Sequence, residues 1–491
     1  MSDILLAAIN AKWIHPSLAL RLLKANLGSL EEHCEIKEFA IRQLLNEKVD
    51  PILKAKPKIL GLSVSIWNHT ATLELLKELF GEWEAGDIER PVIVLGGPEV
   101  SYLPPDAVIF RYADYCIRGE GEITFKELCE HILFKANNSG SSSLTAHCSF
   151  FNSSFLTHHS SFKTAYHLYT NEDLQKKLTY VEASRGCPYT CEFCLSARTN
   201  DGVHVPVREF PLEPFFTEMD DLLKRGAKTI KFLDRSFNTN TGRAVRIMEY
   251  FLNKINNITN NDSKRTSYFI VHFEMVPSRF PSVLTETIAR FPPGTIRLEI
   301  GIQTLNDEVS ARIGRTAKPE KELETLRLLR GKTNAIIHAD LIAGLPGENI
   351  VSFGRGFDAL YEALYLNPDN CLLTSAQAEI QLGILKLLPG AAIIRYSDEF
   401  GMFYSHSPPY ELIESSAIPK DELDRIKNFA RFWELLVNRR LVKPDKLFSD
   451  ENRISDNNSV FTRFMKLSDS LYSRFGRNWG IAKNELLEAI I

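Results

Sequence analysis

Three cysteines stand close together in Ser184-Arg-Gly-Cys187-Pro-Tyr-Thr-Cys191-Glu-Phe193-Cys194-Leu-Ser196, a CxxxCxxC spacing. Gly186 and Pro188 break any helix there, so the thiols lie on a loop, just after the strand-like run Leu178–Ala183. Three thiolates from one short loop make a soft-ligand metal site. Iron–sulfur clusters are ordinarily held by four thiolates. Three leave one iron with an open position, and an open position on a metal binds and activates a ligand. The alternative is a zinc knuckle completed by a distant His or Cys, but no second pair at zinc spacing follows. Eight cysteines in 491 residues are too few for a disulfide scaffold. The remaining five (Cys34, Cys116, Cys129, Cys148 and Cys371) are scattered and read as plain thiols.

The spacing, with the aromatic Phe193 just before the third cysteine, resembles the radical S-adenosylmethionine (SAM) enzymes. The resemblance implies a 4Fe–4S cluster on Cys187, Cys191 and Cys194, whose open iron takes the amino and carboxylate groups of SAM. An external electron donor such as flavodoxin or ferredoxin would then drive cleavage of SAM to methionine and a 5′-deoxyadenosyl radical.

Residues 176–390 supply the elements that must position this loop. Strand patterns at Leu178–Ala183, Lys228–Leu233, Tyr268–Glu274, Arg297–Gly301, Ala335–Ile342 and Glu379–Leu387 alternate with helical ones at Pro211–Arg225, Thr241–Asn253, Pro281–Arg290, Lys318–Arg330 and Ile350–Tyr365. The resemblance implies the partial six-unit barrel of this family, and in parallel barrels chemistry sits at the C-terminal strand ends. Polar residues fall there. Recognition of SAM needs carboxylate or amide acceptors, with glycines where its adenine meets backbone. Glu299-x-Gly301-x-Gln303 and Asp340-Leu-Ile-Ala-Gly344-Leu-Pro-Gly347-Glu348 match family patterns. On that resemblance Phe193, Asp234, Glu274, Glu299, Gln303 and Asp340 are expected to line the SAM cavity. Barrel-mouth salt bridges are the other reading of the acids, with Lys386 as one partner. The family's glycine pair after the second strand is absent; Asp234-Arg235-Ser236-Phe237-Asn238 stands in its place.

Residues 1–135 form an earlier unit in which short apolar runs alternate with helical patterns, implying a parallel, doubly wound sheet. Ligands of such sheets bind beyond the strands' carboxyl ends, here the loops Asn10–Pro16, Ser63–His69, Gly96–Tyr102 and Gly119–Glu122. The order of parts (a loop with Pro before a helix, G-L-S, G-G-P-E, then D-Y-x-x-R-G-E-G-E-x-T-F, all before CxxxCxxC) resembles the cobalamin-binding domain of cobalamin-dependent radical SAM proteins. That implies a flavodoxin-like fold, with His15, Ser63, Ser65, Gly96, Gly97, Gly119 and Glu120 around cobalamin. The DxHxxG motif of other cobalamin domains is absent, and His15 lacks its Asp and Gly, so the resemblance implies a His-off cobalamin. His15 reads as a pocket-lining residue; Trp13 and Trp67 either wall the corrin or pack ordinarily.

Residues 136–175 read as a flexible linker, rich in Ser, Asn and Thr, with Phe150 and Phe151 among candidates for docking and His147, His158 and His159 as a solvated cluster. Residues 391–491 read as a helical domain, with helices at Lys420–Val437 and Phe461–Phe475 and with Trp433 and Trp479 in its core. The net charge of −4 gives no reason to expect nucleic acid, though a local basic patch stays open. No apolar run approaches a membrane span, and no signal peptide is visible, so a cytoplasmic enzyme is expected. The combined expectation is methyl transfer to an unactivated carbon of an unknown substrate. Radical rearrangement or cyclisation, and a cobalamin-sensing protein with a degenerate barrel, remain the alternatives.

Overall fold

The computed structural model describes residues 2–135, 148–152, 163–196, 204–261, 269–315, 318–366, 378–447 and 459–490. In the first unit, the apolar runs become β1 (Ile4–Asn10), β2 (Cys34–Ala40), β3 (Ile59–Ser63), β4 (Val92–Gly96), β5 (Tyr115–Arg118) and β6 (Ser149–Asn152). All pairings are parallel, in the order β2-β1-β3-β4-β5-β6. The first five follow the flavodoxin-like order. Strand β1 is buried along nearly its whole length, as a central parallel strand covered on both faces should be. The helix Leu18–Ala25 starts where Ser17 accepts a hydrogen bond from the Leu20 N–H.

Strand β6 corrects the linker reading. Although its neighbours in sequence are polar, Phe150 packs edge-on against Phe110 at 4.9 Å, with the Arg118 guanidinium 4.5 Å above its ring. The Ser, Asn and Thr tracts on either side and all three linker histidines lie outside the described residues. The chain from 163 onward is likewise not linker. The short helix Asn171–Lys176 has a capping box from Thr170 and Asp173, and Tyr166, Tyr169 and Leu174 are buried in the core of the second unit.

That second unit contains β7 (Thr179–Val181), a two-stranded ribbon of β8 (Ser184–Arg185) and β9 (Arg208–Glu209), and then β10 (Thr229–Phe232), β11 (Ile270–Met275), β12 (Ile296–Gln303), β13 (Ile336–Ala343) and β14 (Ala378–Ile384). Six parallel strands run in the order β14-β13-β12-β11-β10-β7, an open partial barrel with all six expected strands. Strand β12 shows how it is built. Ile296, Leu298, Ile300 and Ile302 are buried, while the alternate Arg297, Glu299, Gly301 and Gln303 are only partly so. Period-two alternation thus sends one face to the helices and a polar face to the lumen. Helices at Asn46–Ala55 and Asp307–Arg312 are additional to those expected.

The tail shares the barrel's apolar core. Trp433 is fully buried and makes a T-shaped contact with Phe357 at 4.8 Å, beside Phe429 and Phe464. Trp479, expected in the core, is 68% exposed: it follows the helix Val460–Phe475 on the Arg477-Asn478 turn, outside the aromatic cluster. Strands β15 (Phe403–Tyr404) and β16 (Leu412–Glu414) form a small hairpin that brings Lys386 within 3.9 Å of Glu411, so this lysine pairs with no barrel-mouth acid. No described helix is long and apolar enough to cross a membrane.

Candidate active site

The cysteine loop is held from several sides. Gly186 takes a φ of +93°, and a Cβ there would fall 2.6 Å from the Pro206 carbonyl oxygen, so only glycine fits. The Glu192 N–H donates to the Ile313 carbonyl (3.0 Å), and the Ile393 N–H of the tail donates to the Glu192 carbonyl (2.9 Å). Arg395 pairs with the Glu192 carboxylate at 2.9 Å. Within the loop, the Cys194 N–H donates to the Cys191 carbonyl (3.1 Å), and the Ser196 N–H reaches the Cys194 Sγ at 3.4 Å.

All three thiols line one cavity of about 240 Å³, together with Phe193, Glu274, Glu299, Gln303 and Asp340. Arg235, Arg315 and Tyr189 complete its polar wall. Burial raises the Cys187 and Cys191 thiols above their usual range, while Arg235 and Arg315 respectively act in the opposite direction. Among the described residues, no three His, Cys, Asp or Glu side chains converge as they would around a single ion.

The carboxylates of this wall differ sharply. Glu299 is opposed by burial, but His272 at 3.1 Å and Lys231 at 2.9 Å hold its carboxyl well below the usual range. Glu274, 3.3 Å from Arg235, is nonetheless raised by burial. Asp340 is pushed far up, first by burial and then by the Glu299 and Glu274 charges, and among the described residues its Oδ1 has no hydrogen-bond partner. Gln303 adopts a left-handed φ of +70°, and a Cβ on Gly301 would lie 2.5 Å from its Nε2. The Gly-x-Gln spacing is therefore steric: Gly301 leaves the room into which the Gln303 amide folds back.

Asp234 is a correction. Strand β10 ends at Phe232 and the chain turns away, so Asp234 lines a separate cavity of about 130 Å³. There it accepts from the Ala183 N–H (2.9 Å) and the Ser184 hydroxyl (2.6 Å). Burial pushes its carboxyl up to about 7 against those hydrogen bonds. It anchors the strand leading into the cysteine loop.

A larger cavity of about 480 Å³ lies where the first unit meets the barrel. Ser63, Gly96, Gly97, Gly119 and Glu120 line it. Leu18, Leu22, Leu23 and Phe125 from two helices give it apolar depth, and Leu195, Ser196 and Leu233 close it from the barrel side. Gly97 has a φ of +108°, and a Cβ there would stand 2.5 Å from the Val64 carbonyl oxygen. Two expected residues lie elsewhere. Ser65 is buried with its N–H on Asn68 Oδ1 (2.7 Å), in the turn before the helix His69–Ala85. The His15 Nδ1 is 2.6 Å from the Tyr180 hydroxyl on β7, and burial lowers its basicity, with Lys12 and Lys231 adding to the effect.

The cavity's charged end is an ion-pair network joining the two units. Arg185 contacts Glu182 and Glu122 at 2.6 Å each and Glu120 at 3.3 Å, and Arg208 also pairs with Glu120. Burial works against the Glu120 carboxylate, but Arg208 and Arg185 keep it below its usual range. Burial raises Glu182 despite Arg185. Sequence reasoning missed Arg185, Arg208 and Glu182. The available signal was the arginine directly before Gly186-Cys187, set against the unmatched acids of Gly-Glu-Gly-Glu.

Comparison with known proteins agrees with this architecture. The Radical SAM superfamily model matches residues 181–356 and the B12 binding domain model matches residues 4–129. The radical SAM methyltransferase TsrM from Kitasatospora setae, solved with cobalamin and a [4Fe-4S] cluster, superposes with a TM-score of 0.57 at 15% identity, covering 83% of this chain and 78% of that one. The cobalamin-dependent radical enzyme OxsB, solved with aqua-cobalamin and SAM, gives 0.60 at 14% identity, covering 99% and 78%. These likenesses establish the shared fold. Among curated proteins, a tRNA-2-methylthio-N(6)-dimethylallyladenosine synthase from Bdellovibrio bacteriovorus is 25% identical over 193 residues, which is 39% of this chain and 40% of that protein. The matched stretch thus spans well under half of that relative. With the cysteine loop on a six-strand partial barrel and a flavodoxin-like unit before it, the chain joins a B12 binding domain to a radical SAM domain.

Proposed function

We propose that the protein is a cobalamin-dependent radical SAM enzyme that transfers a methyl group to an unactivated carbon. The observation that carries this reading is the adjacency of the two cavities: Ser196 lines both, directly after the third cysteine.

The residues fit the groups this reading requires. Cys187, Cys191 and Cys194 are a donor set of three soft ligands for a 4Fe–4S cluster, leaving one iron open. Arg235 and Arg315 in the same wall offset the charge of such a cluster. For SAM, Glu299, Gln303 and Glu274 offer acceptors, Phe193 an apolar face, and Asp340 a partnerless buried oxygen. For cobalamin, the glycines at 96, 97, 119 and 121 line a cavity whose 480 Å³ falls within the usual range for small-molecule sites of about 300–1,000 Å³. His15 is engaged by Tyr180 and stands outside that cradle, which supports a His-off cobalamin.

When bound, the cluster and SAM supply hydrogen abstraction and cobalamin supplies a transferable methyl group. The chain's own work is alignment and exclusion of water. Lys231 and His272 keep Glu299 anionic toward a cationic ligand, Asp340, its carboxyl raised by burial, lines the same wall, and the Arg185 network fixes the first unit over the barrel. The similarity to the methylthio-adenosine synthase covers 39% of this chain and carries no shared substrate. An external reductant and an organic substrate complete the system.

The test is anaerobic reconstitution with iron, sulfide and cobalamin, then SAM and dithionite, with assay of 5′-deoxyadenosine and S-adenosylhomocysteine. Both products are expected. Deoxyadenosine alone would turn the reading to rearrangement or cyclisation. Neither product, from protein holding about four iron and one cobalamin, would favour the sensing role.

A further inference from the structure

We infer that the two cofactor cavities are energetically coupled through the segment Leu195–Ser196 and the side chain of Tyr102, so that a cluster on the cysteine loop tightens cobalamin binding and cobalamin protects the cluster. The inference rests on the assignment of the larger cavity to cobalamin.

Ser196 is a wall residue of both cavities, and Leu195 lines the larger one. Neither belongs to the first unit. Both follow Cys194 directly, and the Ser196 N–H points at the Cys194 Sγ from 3.4 Å. The position of this segment therefore depends on where Cys194 is held, and a cluster would fix Cys194 to two other thiols. Tyr102, from the loop after β4, also lines the larger cavity. Its ring is wedged against the tail, where a Cβ on Gly390 would come within 2.4 Å of its Cδ1. The cysteine loop itself is pinned to the tail at Ile393, three residues from Gly390. One wall is thus assembled from the first unit, the cysteine loop and the tail. A ligand on either side of it selects the ordered arrangement and saves the other ligand that ordering cost. Linkage then requires the effect to be reciprocal, with coupling in such systems of about 5- to 150-fold.

The experiment is a titration of full-length protein with aqua-cobalamin under anaerobic conditions, followed by visible absorption. Protein stripped of iron by chelator is compared with protein reconstituted with iron and sulfide. The reconstituted form should bind at least about fivefold more tightly, and cobalamin should slow iron loss to bathophenanthroline from the loaded protein. Leu195→Ala should retain its iron and lose most of the affinity ratio. Equal affinity with and without the cluster overturns the coupling and leaves the cobalamin site standing. An undiminished ratio in Leu195→Ala overturns the assignment of this wall. No cobalamin binding in either wild-type form overturns the underlying cofactor assignment as well. The wild-type pair decides the matter even if the variant does not fold.

Discussion

Replacing Arg185 by methionine removes the one cation that the described ion pairs give to Glu122 and Glu182, while Glu120 keeps Arg208. The side chains involved are 6% to 14% exposed, so solvent cannot take the place of the guanidinium. A pair of unit charges about 4 Å apart is worth roughly 4 kcal/mol at an effective dielectric of 20. Breaking a buried pair by removing one partner costs roughly 3–5 kcal/mol, mainly because the other charge stays behind. A loss of this size is expected in the first urea transition, read by tryptophan fluorescence, because Trp83 is buried in the first unit and Trp433 in the barrel–tail core. The pH dependence is specific. Glu182 already has its folded pKa raised by burial, and losing Arg185, which opposes that rise, raises it further. A group raised in this way stabilises fully below its unfolded value of about 4.3 and loses that contribution as pH rises through its folded value. The cost of Arg185→Met should therefore be largest at pH 8 and shrink toward pH 5. Glu120, held low by Arg208 and Arg185, behaves oppositely: its contribution is present above about pH 4.3 and lost as pH falls through its folded value. A deficit under about 1 kcal/mol at pH 8, the value of an exposed pair, or one that does not change with pH, would refute the buried network.

Three further outcomes are expected. Cys191→Ala should abolish the brown iron–sulfur absorbance and SAM cleavage while leaving weakened cobalamin binding; full cleavage in that variant would remove the cluster assignment. Gly97→Ala puts a side chain at φ +108° and 2.5 Å from the Val64 carbonyl oxygen. It should cost about 1–3 kcal/mol in urea unfolding and impair cobalamin retention on gel filtration, and wild-type behaviour in both would show that the cradle is loose. Asp340→Asn should raise Tm relative to wild type increasingly as pH goes from 6 to 9, because a carboxyl with a raised folded pKa loses its stabilising contribution as pH climbs through that value; parallel Tm profiles would mean Asp340 is solvated.

The parts of the site legible in the sequence are those set by local spacing. The three cysteines need only a loop broken by Gly186 and Pro188, and the alternation of β12 alone aims Glu299 and Gln303 at the lumen. Asp234 was misplaced because one residue's difference in where β10 ends sends its side chain to the Ala183 N–H and the Ser184 hydroxyl instead of the cavity. Strand β6 was illegible for a different reason. Four residues at a sheet edge carry little pattern of their own, and it is the contact with Phe110 and Arg118, contributed from elsewhere in the chain, that selects the strand. The Arg185 network belongs to the same class, since Glu122 and Arg185 are 63 residues apart and acquire their meaning only when the two units meet.

The Gly-Gly-Pro-Glu turn shows how closely holding a cofactor and holding the fold are joined here. Gly96 and Gly97 open the cavity, yet Glu99 of the same turn accepts from the Tyr410 hydroxyl of the tail and lies 2.8 Å from His69 Nδ1 at the start of the neighbouring helix. Glu99 is only 4% exposed, so its charge is satisfied by these contacts rather than by water. The tail residue Gly390 leaves room for Tyr102 three residues further along, and Ile393 and Arg395 grip Glu192 between the second and third cysteines. One tail segment therefore touches both the loop that would carry cobalamin and the loop that would carry the cluster. In the fully charged wall around Arg185 the two units attract by ion pairs, which fix distance but tolerate rotation. The packed contacts of Tyr102 and Tyr410 do not tolerate rotation, and they supply the orientation that a reaction between two cofactors and a substrate requires.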